Sequence, residues 1–431
     1  MKAIHYIVII VLLSLLGISL LALPIIVRAL PGRYASLLPE PLQALRHTDH
    51  PLTLPTPVAA AEVEATVPPS ATPLPSPTPT RLPTLTPEPS VTPSPTASPT
   101  AEPPTPTPTP TLPPAVLLEG LRHERQGWNN CGPTTLGMAL SYWGRTERQA
   151  EIAPLLKPDP EDKHVGIQQM AEYAESLGLR AIVRSGGTLE ELKQLLSAGF
   201  PVIVRTWYVR DARDQLGHYR LAIGYNDTTQ RFDLYDSLYD PPTSMDYTEL
   251  YELWRVFNWS YLVVASPERW DELTTMIGAD MDDVTMYEQA LARAEMEGAA
   301  APETCAAYAS CSDWTTFSWY AIGTNLTALG RHAEAAAAFD QARQLGLHYR
   351  MLWYQHSPYE SYYAVGRYDD VVALADATLA TANNLEESYY WRGMARLAQG
   401  DQARARADFE TALRYHRDWE PAVEALAEMN P

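Results

Sequence analysis

Among the side chains of this 431-residue chain, the thiol of Cys131 stands in the setting most suited to covalent chemistry. It lies in "RQGWNNCGPTTLGMALSYWG", residues 125–144, where a polar Asn-Asn turn gives way to an apolar run. Gly132 and Pro133, then Leu136, Met138, Ala139, Leu140, Tyr142 and Trp143, with Gly144 as a stop, predict one buried helix that begins at the cysteine. A thiol at a helix N-terminus sits near the positive end of the dipole, which favours the nucleophilic thiolate. Such a thiolate still needs a base, and donors to hold an oxyanion.

A base and its orienting partner are offered by "GHYRLAIGYNDTTQRFDLYDSLYDP", residues 217–241. It alternates apolar and polar, turns through residues 226–229 and alternates again, which predicts a β-hairpin. His218 and Asp236 are each nine residues from Asp227, taken as the centre of the turn, so they are expected to face each other. Directly opposed residues have Cβ atoms about 4.5–5.5 Å apart, close enough for a carboxylate to orient an imidazole. Between cysteine and hairpin, "GIQQMAEYAESLGL" predicts an amphipathic helix and "RAIVR" a strand. "TLEELKQLLSAG" predicts a helix with a Thr188–Glu191 capping box, and "FPVIVRTWYV" a buried strand. Each residue also has a plain structural reading: Cys131 as packing at a helix start, His218 as a satisfied strand histidine, Asp236 as a turn former.

The run from Gln126 through "GWNNCGPTTLGMALSYWG", followed by "GHYRLAIGYND" and "DLYDS", resembles the papain-like cysteine peptidases of the double-glycine-leader (bacteriocin-processing) type and their free-standing relatives. The resemblance spans about residues 115–266 and implies an α+β papain-like domain. It implies Cys131 as nucleophile, His218 as general base and acid, and Asp236 as the carboxylate that orients His218. By the same resemblance Gln126 donates its side-chain amide to the oxyanion beside the backbone N–H of Cys131. One departure is that Asp236 precedes Ser237 where these relatives usually carry Asp-Pro, whereas Asp240 does precede Pro241. Asp240 is therefore a second candidate for the orienting carboxylate. Arg205, Trp207 and Tyr208 are candidates for a substrate groove or for edge and core positions. His123 and His164 have no partners at metal-ligand spacing, so neither metal nor cofactor is expected.

The elements around this domain set its surroundings. Residues 4–27 form an apolar run with His5 as the one residue that ionises near neutral pH, long enough to cross a hydrocarbon core of about 30 Å. Residues 1–28 are thus expected to be a membrane anchor or signal segment, and an uncleaved anchor is favoured because Leu20 and Ala22 before Pro24 make a poor cleavage site. Residues 29–114 read as a disordered Pro/Thr/Ser-rich linker; more than half of the 38 prolines lie between Pro51 and Pro114. In polyproline II at about 3.1 Å per residue, that tract would reach roughly 200 Å. Such a spacer after a membrane segment places the folded part outside the membrane, at the cell surface. Cys305 and Cys311 are close enough to form a small-loop disulfide, which persists only outside the reducing cytosol.

Residues 267–431 predict helical repeats. Gly330, Gly366 and Gly400 are 36 and 34 residues apart, the spacing of helix-turn-helix repeats. Trp319, Gly323, Ala335, Phe339 and Ala342, and later Gly393, Ala405, Phe409 and Ala412, fit the tetratricopeptide pattern; the middle copy is degenerate, and "GADMDDVTMYEQALARAE" reads as a divergent half-repeat. Such an array either binds a peptide or protein on its concave face or serves as a structural companion. The net charge of -20 excludes a phosphate-backbone binder, so no nucleic-acid partner is expected. The combined expectation is a membrane-anchored, extracytoplasmic cysteine peptidase acting on a peptide or protein substrate. Two rivals remain open: a non-catalytic binding protein that works through its repeats, and a transamidase that passes the same acyl-enzyme to an amine.

Overall fold

The computed structural model describes residues 112–210, 214–298 and 312–429, with short stretches between 22 and 58. Residues 1–21 of the expected anchor, nearly all of the Pro/Thr tract, and Cys305 and Cys311 lie outside the described residues. Among the described residues, no helix is long and apolar enough to cross a membrane.

Seven strands make one sheet: β1 (Ala115–Leu117), β2 (Arg180–Arg184), β3 (Val202–Val209), β4 (Gln215–Asn226), β5 (Arg231–Tyr235), β6 (Thr243–Asp246) and β7 (Tyr261–Ala265). Their order is β2-β7-β3-β4-β5-β6, with β1 on β4, and every pairing is antiparallel. The pleat sorts the side chains into two cores. Ile203, Tyr219, Leu221, Ile223, Leu262 and Val264 meet α1 (Cys131–Tyr142) and α3 (Ile167–Ser176) on one face. Val202, Val204, Ala222, Phe232, Leu234 and Val263 meet α4 (Leu189–Ser197) and α5 (Tyr247–Arg255) on the other. Thr188 caps α4 through the expected capping box, its hydroxyl accepting the Glu191 N–H at 2.9 Å. Between α1 and α3 lies α2 (Gln149–Leu156).

The C-terminal half is a run of paired helices: α6 (Trp270–Ile277), α7 (Asp283–Gly298), α8 (Ser312–Ala328), α9 (His332–Gln344), α10 (Ser357–Ala364), α11 (Tyr368–Thr381), α12 (Glu386–Ala398), α13 (Gln402–Tyr415) and α14 (Glu420–Glu428). Gly330, Gly366 and Gly400 take left-handed φ values of 71°, 76° and 85° at the turns within the pairs. Close helix approach explains the small residues. A Cβ on Gly323 would stand 2.5 Å from the Phe339 ring, and one on Gly393 2.6 Å from the Phe409 ring. The degenerate middle pair keeps one ring against one small residue by exchange: the corresponding positions hold Tyr359 and Ala375, both fully buried.

The two halves share one hydrophobic core rather than meeting at a polar seam. Trp207 of β3 is buried among Phe257, Phe317, His348 and Tyr354, so it packs the junction and does not line a groove. Arg205 of β3 is likewise buried, donating to Tyr354 O at 2.7 Å. Arg255 donates to Trp314 O at 3.0 Å and lies 3.6 Å from the Trp314 ring centroid, and Asn258 and Asn325 exchange amide hydrogen bonds at 2.6 and 3.0 Å. Such satisfied polar contacts inside an apolar junction fix its geometry.

The exchange in the middle pair makes a stability prediction. Ala375→Phe alone should cost about 1–3 kcal/mol by overpacking, and clearly less in a Tyr359→Gly background. Urea unfolding of the four proteins of that double-mutant cycle measures the coupling.

Candidate active site

Cys131 opens α1, and its own N–H and that of Gly132 have no intrahelical acceptor. The loop before it is held by both ends of α2. At the N-terminal end, Gln149 Oε1 accepts from Gly127 N at 2.6 Å and Asn130 Nδ2 at 3.0 Å. Just past the C-terminal end, the buried Lys157 ammonium donates to Trp128 O at 3.1 Å, Asn129 O at 3.4 Å and Pro160 O at 3.2 Å. Burial lowers the Lys157 pKa, which the nearby Asp162 carboxylate and Cys131 oppose. Asn129 needs this support, since it holds a left-handed φ of 53°.

His218 is on β4 and Asp236 just past β5, both buried. His218 Nε2 donates to Asp236 Oδ1 at 2.8 Å. Their meeting differs from direct opposition. The hairpin's last pair is Asn226↔Arg231, which centres the turn between Thr228 and Thr229, not on Asp227. Carried on unchanged, that register would set Asp236 opposite Leu221, on the wrong face for His218. A bulge between Ala222 and Gly224 removes one residue from the count. One step past the ladder's final pair, Leu221↔Tyr235, Arg220 then comes opposite Asp236 and His218 stands diagonal to it on the same face.

The Asp236 carboxylate therefore has two cationic partners. Arg220 Nε donates to Oδ2 at 2.9 Å, and Leu238 N adds a third hydrogen bond, to Oδ1, at 2.9 Å. Arg220 also bonds the Thr206 hydroxyl, which in turn donates to His218 O at 3.1 Å. Burial pushes the Asp236 pKa up, but the charge and hydrogen bond of His218 and the charge of Arg220 hold it well below the usual carboxylate range. In His218, burial works against the charge, yet the Asp236 charge and hydrogen bond and the Cys131 thiol leave the pKa raised; Arg220 opposes them. With Nε2 taken, Nδ1 is the ring nitrogen left without a hydrogen-bond partner, and the thiol and the ring shift each other's titration. For Cys131, burial pushes the pKa up, and the hydrogen bond and charge of His218, with the N–H groups of Tyr219 and Gly132, bring it below the ordinary value. Opposite shifts of this kind favour a thiolate–imidazolium pair.

Gln126 is bound to Ser237 twice: its N–H donates to Ser237 O at 2.9 Å and its Oε1 accepts the Ser237 hydroxyl at 2.7 Å. That fixes the amide's orientation and leaves Nε2 available as a donor. The serine that departs from the Asp-Pro pattern thus holds the glutamine. Asp240 is exposed and 3.6 Å from Arg125, away from this cluster. Tyr208 stands 5.8 Å from the His218 ring and bonds the exposed Tyr239 through their hydroxyls at 2.7 Å, forming a rim. His123 packs edge-on against Tyr235, its Nε2 3.2 Å from Asp236 O. Among the described residues, no group of His, Cys, Asp and Glu is arranged to hold a metal.

Arg220, Ser237 and Lys157 escaped sequence reasoning. Arg220 was the most legible, since residues two apart on a strand share a face and a charge beside a buried histidine needs a partner.

Residues 118–263 match the model of the Peptidase_C39 like family, and residues 386–418 that of the tetratricopeptide repeat. A crystal structure described as that of a C39-like peptidase from Bacillus anthracis is similar at 16% identity with a TM-score of 0.28, covering 35% of this chain and 98% of that one. No curated protein matches the chain.

The shifts set a pH dependence. The thiolate is populated above the lowered Cys131 pKa and the imidazolium below the raised His218 pKa, so both shifts favour the pair. Alkylation of Cys131 by iodoacetamide should already be fast at about pH 6, where an ordinary thiol of pKa about 8.5 is almost inert. In His218→Ala the onset should move to markedly higher pH, as read by mass spectrometry of the alkylated protein.

Proposed function

We propose that this chain, in which a C39-like peptidase domain is fused to tetratricopeptide repeats, hydrolyses peptide bonds with Cys131 as nucleophile. The observation that carries the reading is the buried His218 ring, bound to Asp236 through Nε2 with Nδ1 left unpaired, and the opposite shifts that it and the Cys131 thiol impose on each other. The thiolate attacks the substrate carbonyl carbon. Charge gathers on the carbonyl oxygen, where Gln126 Nε2 and the Cys131 N–H donate to it. As the tetrahedral adduct collapses, the C–N bond breaks and His218 gives its Nδ1 proton to the leaving amine. Water then attacks the thioester while His218 takes its proton, the C–S bond breaks, and the acid product leaves the thiolate–imidazolium pair restored.

The anchor belongs to the same proposal: residues 4–27 hold the chain in a membrane, with the folded domains on the extracytoplasmic side. The apolar run and the Pro/Thr tract support it. Protease treatment of intact cells should degrade the folded region; full protection would reverse the orientation.

Turnover of a peptide library, followed by mass spectrometry, tests the chemistry. Cys131→Ala and His218→Ala should abolish cleavage. Gln126→Ala should lower kcat about 10²–10³-fold with little change in KM, the signature of a donor used in the transition state. A wild-type protein that forms no thioester and cleaves nothing, under conditions where Cys131 alkylates readily, would sink the peptidase reading.

A further inference from the structure

Residues 53–58, Thr-Leu-Pro-Thr-Pro-Val, fall in the segment whose composition reads as linker, yet they lie against the helical region. Thr53 forms an antiparallel bridge with His348, and Leu54 N donates to Leu347 O at 2.9 Å. The Leu54 side chain is 4% exposed and belongs to the core of the helices. Arg343 of α9, buried itself, donates Nε to Pro55 O at 2.9 Å and Nη2 to Thr56 O at 3.0 Å. Its Nη1 is bound to Asp370 Oδ1 at 2.8 Å, and that same oxygen accepts Val58 N at 2.9 Å. Arg367 takes the other oxygen of Asp370, at 2.8 Å.

This arrangement reads a backbone. Without residues 53–58, two guanidinium donors of the buried Arg343 would lose their acceptors, and leaving buried donors unmet is costly. Pro55 and Pro57 bring no N–H that needs burying, so carbonyls are offered to the arginine with few donors to satisfy in return. One apolar pocket, filled by Leu54, sets the position of the segment along the site.

We propose that the helical region carries a binding site for an extended Leu-Pro-Xaa-Pro peptide and that residues 53–58 occupy it as a clasp, fastening the N-terminal part of the chain to the folded part. Residues 59–111 then run between two points of the same folded unit, Val58 on the helices and the 112–114 segment that leads into β1. They close a loop, and do not set the distance from the folded region to whatever holds the N-terminus. The chain before the clasp also returns to the folded region, with Arg33 Nε 3.5 Å from Glu161 Oε1.

The test uses the full chain in detergent, with a specific protease site inserted after Ala65 and an affinity tag at the N-terminus. After cleavage the folded region, now covalently separate, should stay on the resin with the N-terminal fragment. A synthetic peptide of residues 51–60, added in excess, should release it. Leu54→Asp, which leaves the helices unaltered, should weaken retention about 30-fold or more. Immediate release of the wild-type folded region on cleavage would overturn the clasp. So would retention of the Leu54→Asp protein equal to wild type, because other N-terminal contacts would then be holding the fragment.

Discussion

The buried carboxylate of Asp236 is the group on which the site's geometry and electrostatics both depend. Taking a carboxylate out of water is costly unless its oxygens are met by charge and hydrogen bonds. Here His218, Arg220 and the Leu238 N–H meet them. The two cations are not equivalent. Arg220 is bound to Thr206 as well, so it ties the carboxylate to the sheet, whereas the charge on His218 depends on the thiol on its other side. Arg220 also keeps Asp236 ionised while working against the imidazolium. The site thus fixes the acid firmly and leaves the proton on His218 transferable, as the proposed mechanism, in which it acts as acid and then as base, requires.

What brings Asp236 to His218 is a one-residue irregularity in β4. A register error of one residue in a strand turns every side chain to the opposite face. The composition of the hairpin was legible, and so were its turn and the identity of the pair. The centre of the turn and the bulge were not, and their two effects together displaced the register by two residues, which preserves the face. Gly224 shows why the bulge sits where it does: β1 crosses here, and a Cβ on residue 224 would lie 2.4 Å from Val116 O. That constraint comes from a strand more than a hundred residues away in the chain, so no local pattern could carry it. The same holds for Lys157 and Ser237, whose partners are loops remote in sequence.

In the helical half, legibility followed from how narrowly sterics specify a residue. Gly323 and Gly393 must be glycine because an aromatic ring occupies the space of a Cβ, so identity survives as a motif. The middle repeat meets the same packing demand with Tyr359 and Ala375, and its pattern disappears although the match of one ring to one small residue does not. Residues 53–58 mark the opposite failure. Their composition is that of the Pro/Thr-rich tract around them, and what holds them is the pair Arg343 and Asp370, which no reading of the tract itself contains.

The shared core bears on how the two halves serve the chemistry. Repeat arrays that act as separate binding modules are usually joined to their neighbours by polar seams or linkers, which allow relative motion. Here Trp207 is driven from β3 into the helices, two residues from Arg205, whose guanidinium is held by Tyr354 O. β3 is also the strand that pairs with β4 through Thr206↔His218. The position of the imidazole is therefore set from one side by the Asp236 cluster and from the other by a strand anchored in the helical half. In this architecture the helices act first as a wall of the sheet domain, and the proposed clasp site lies on a surface that does not compete with that role.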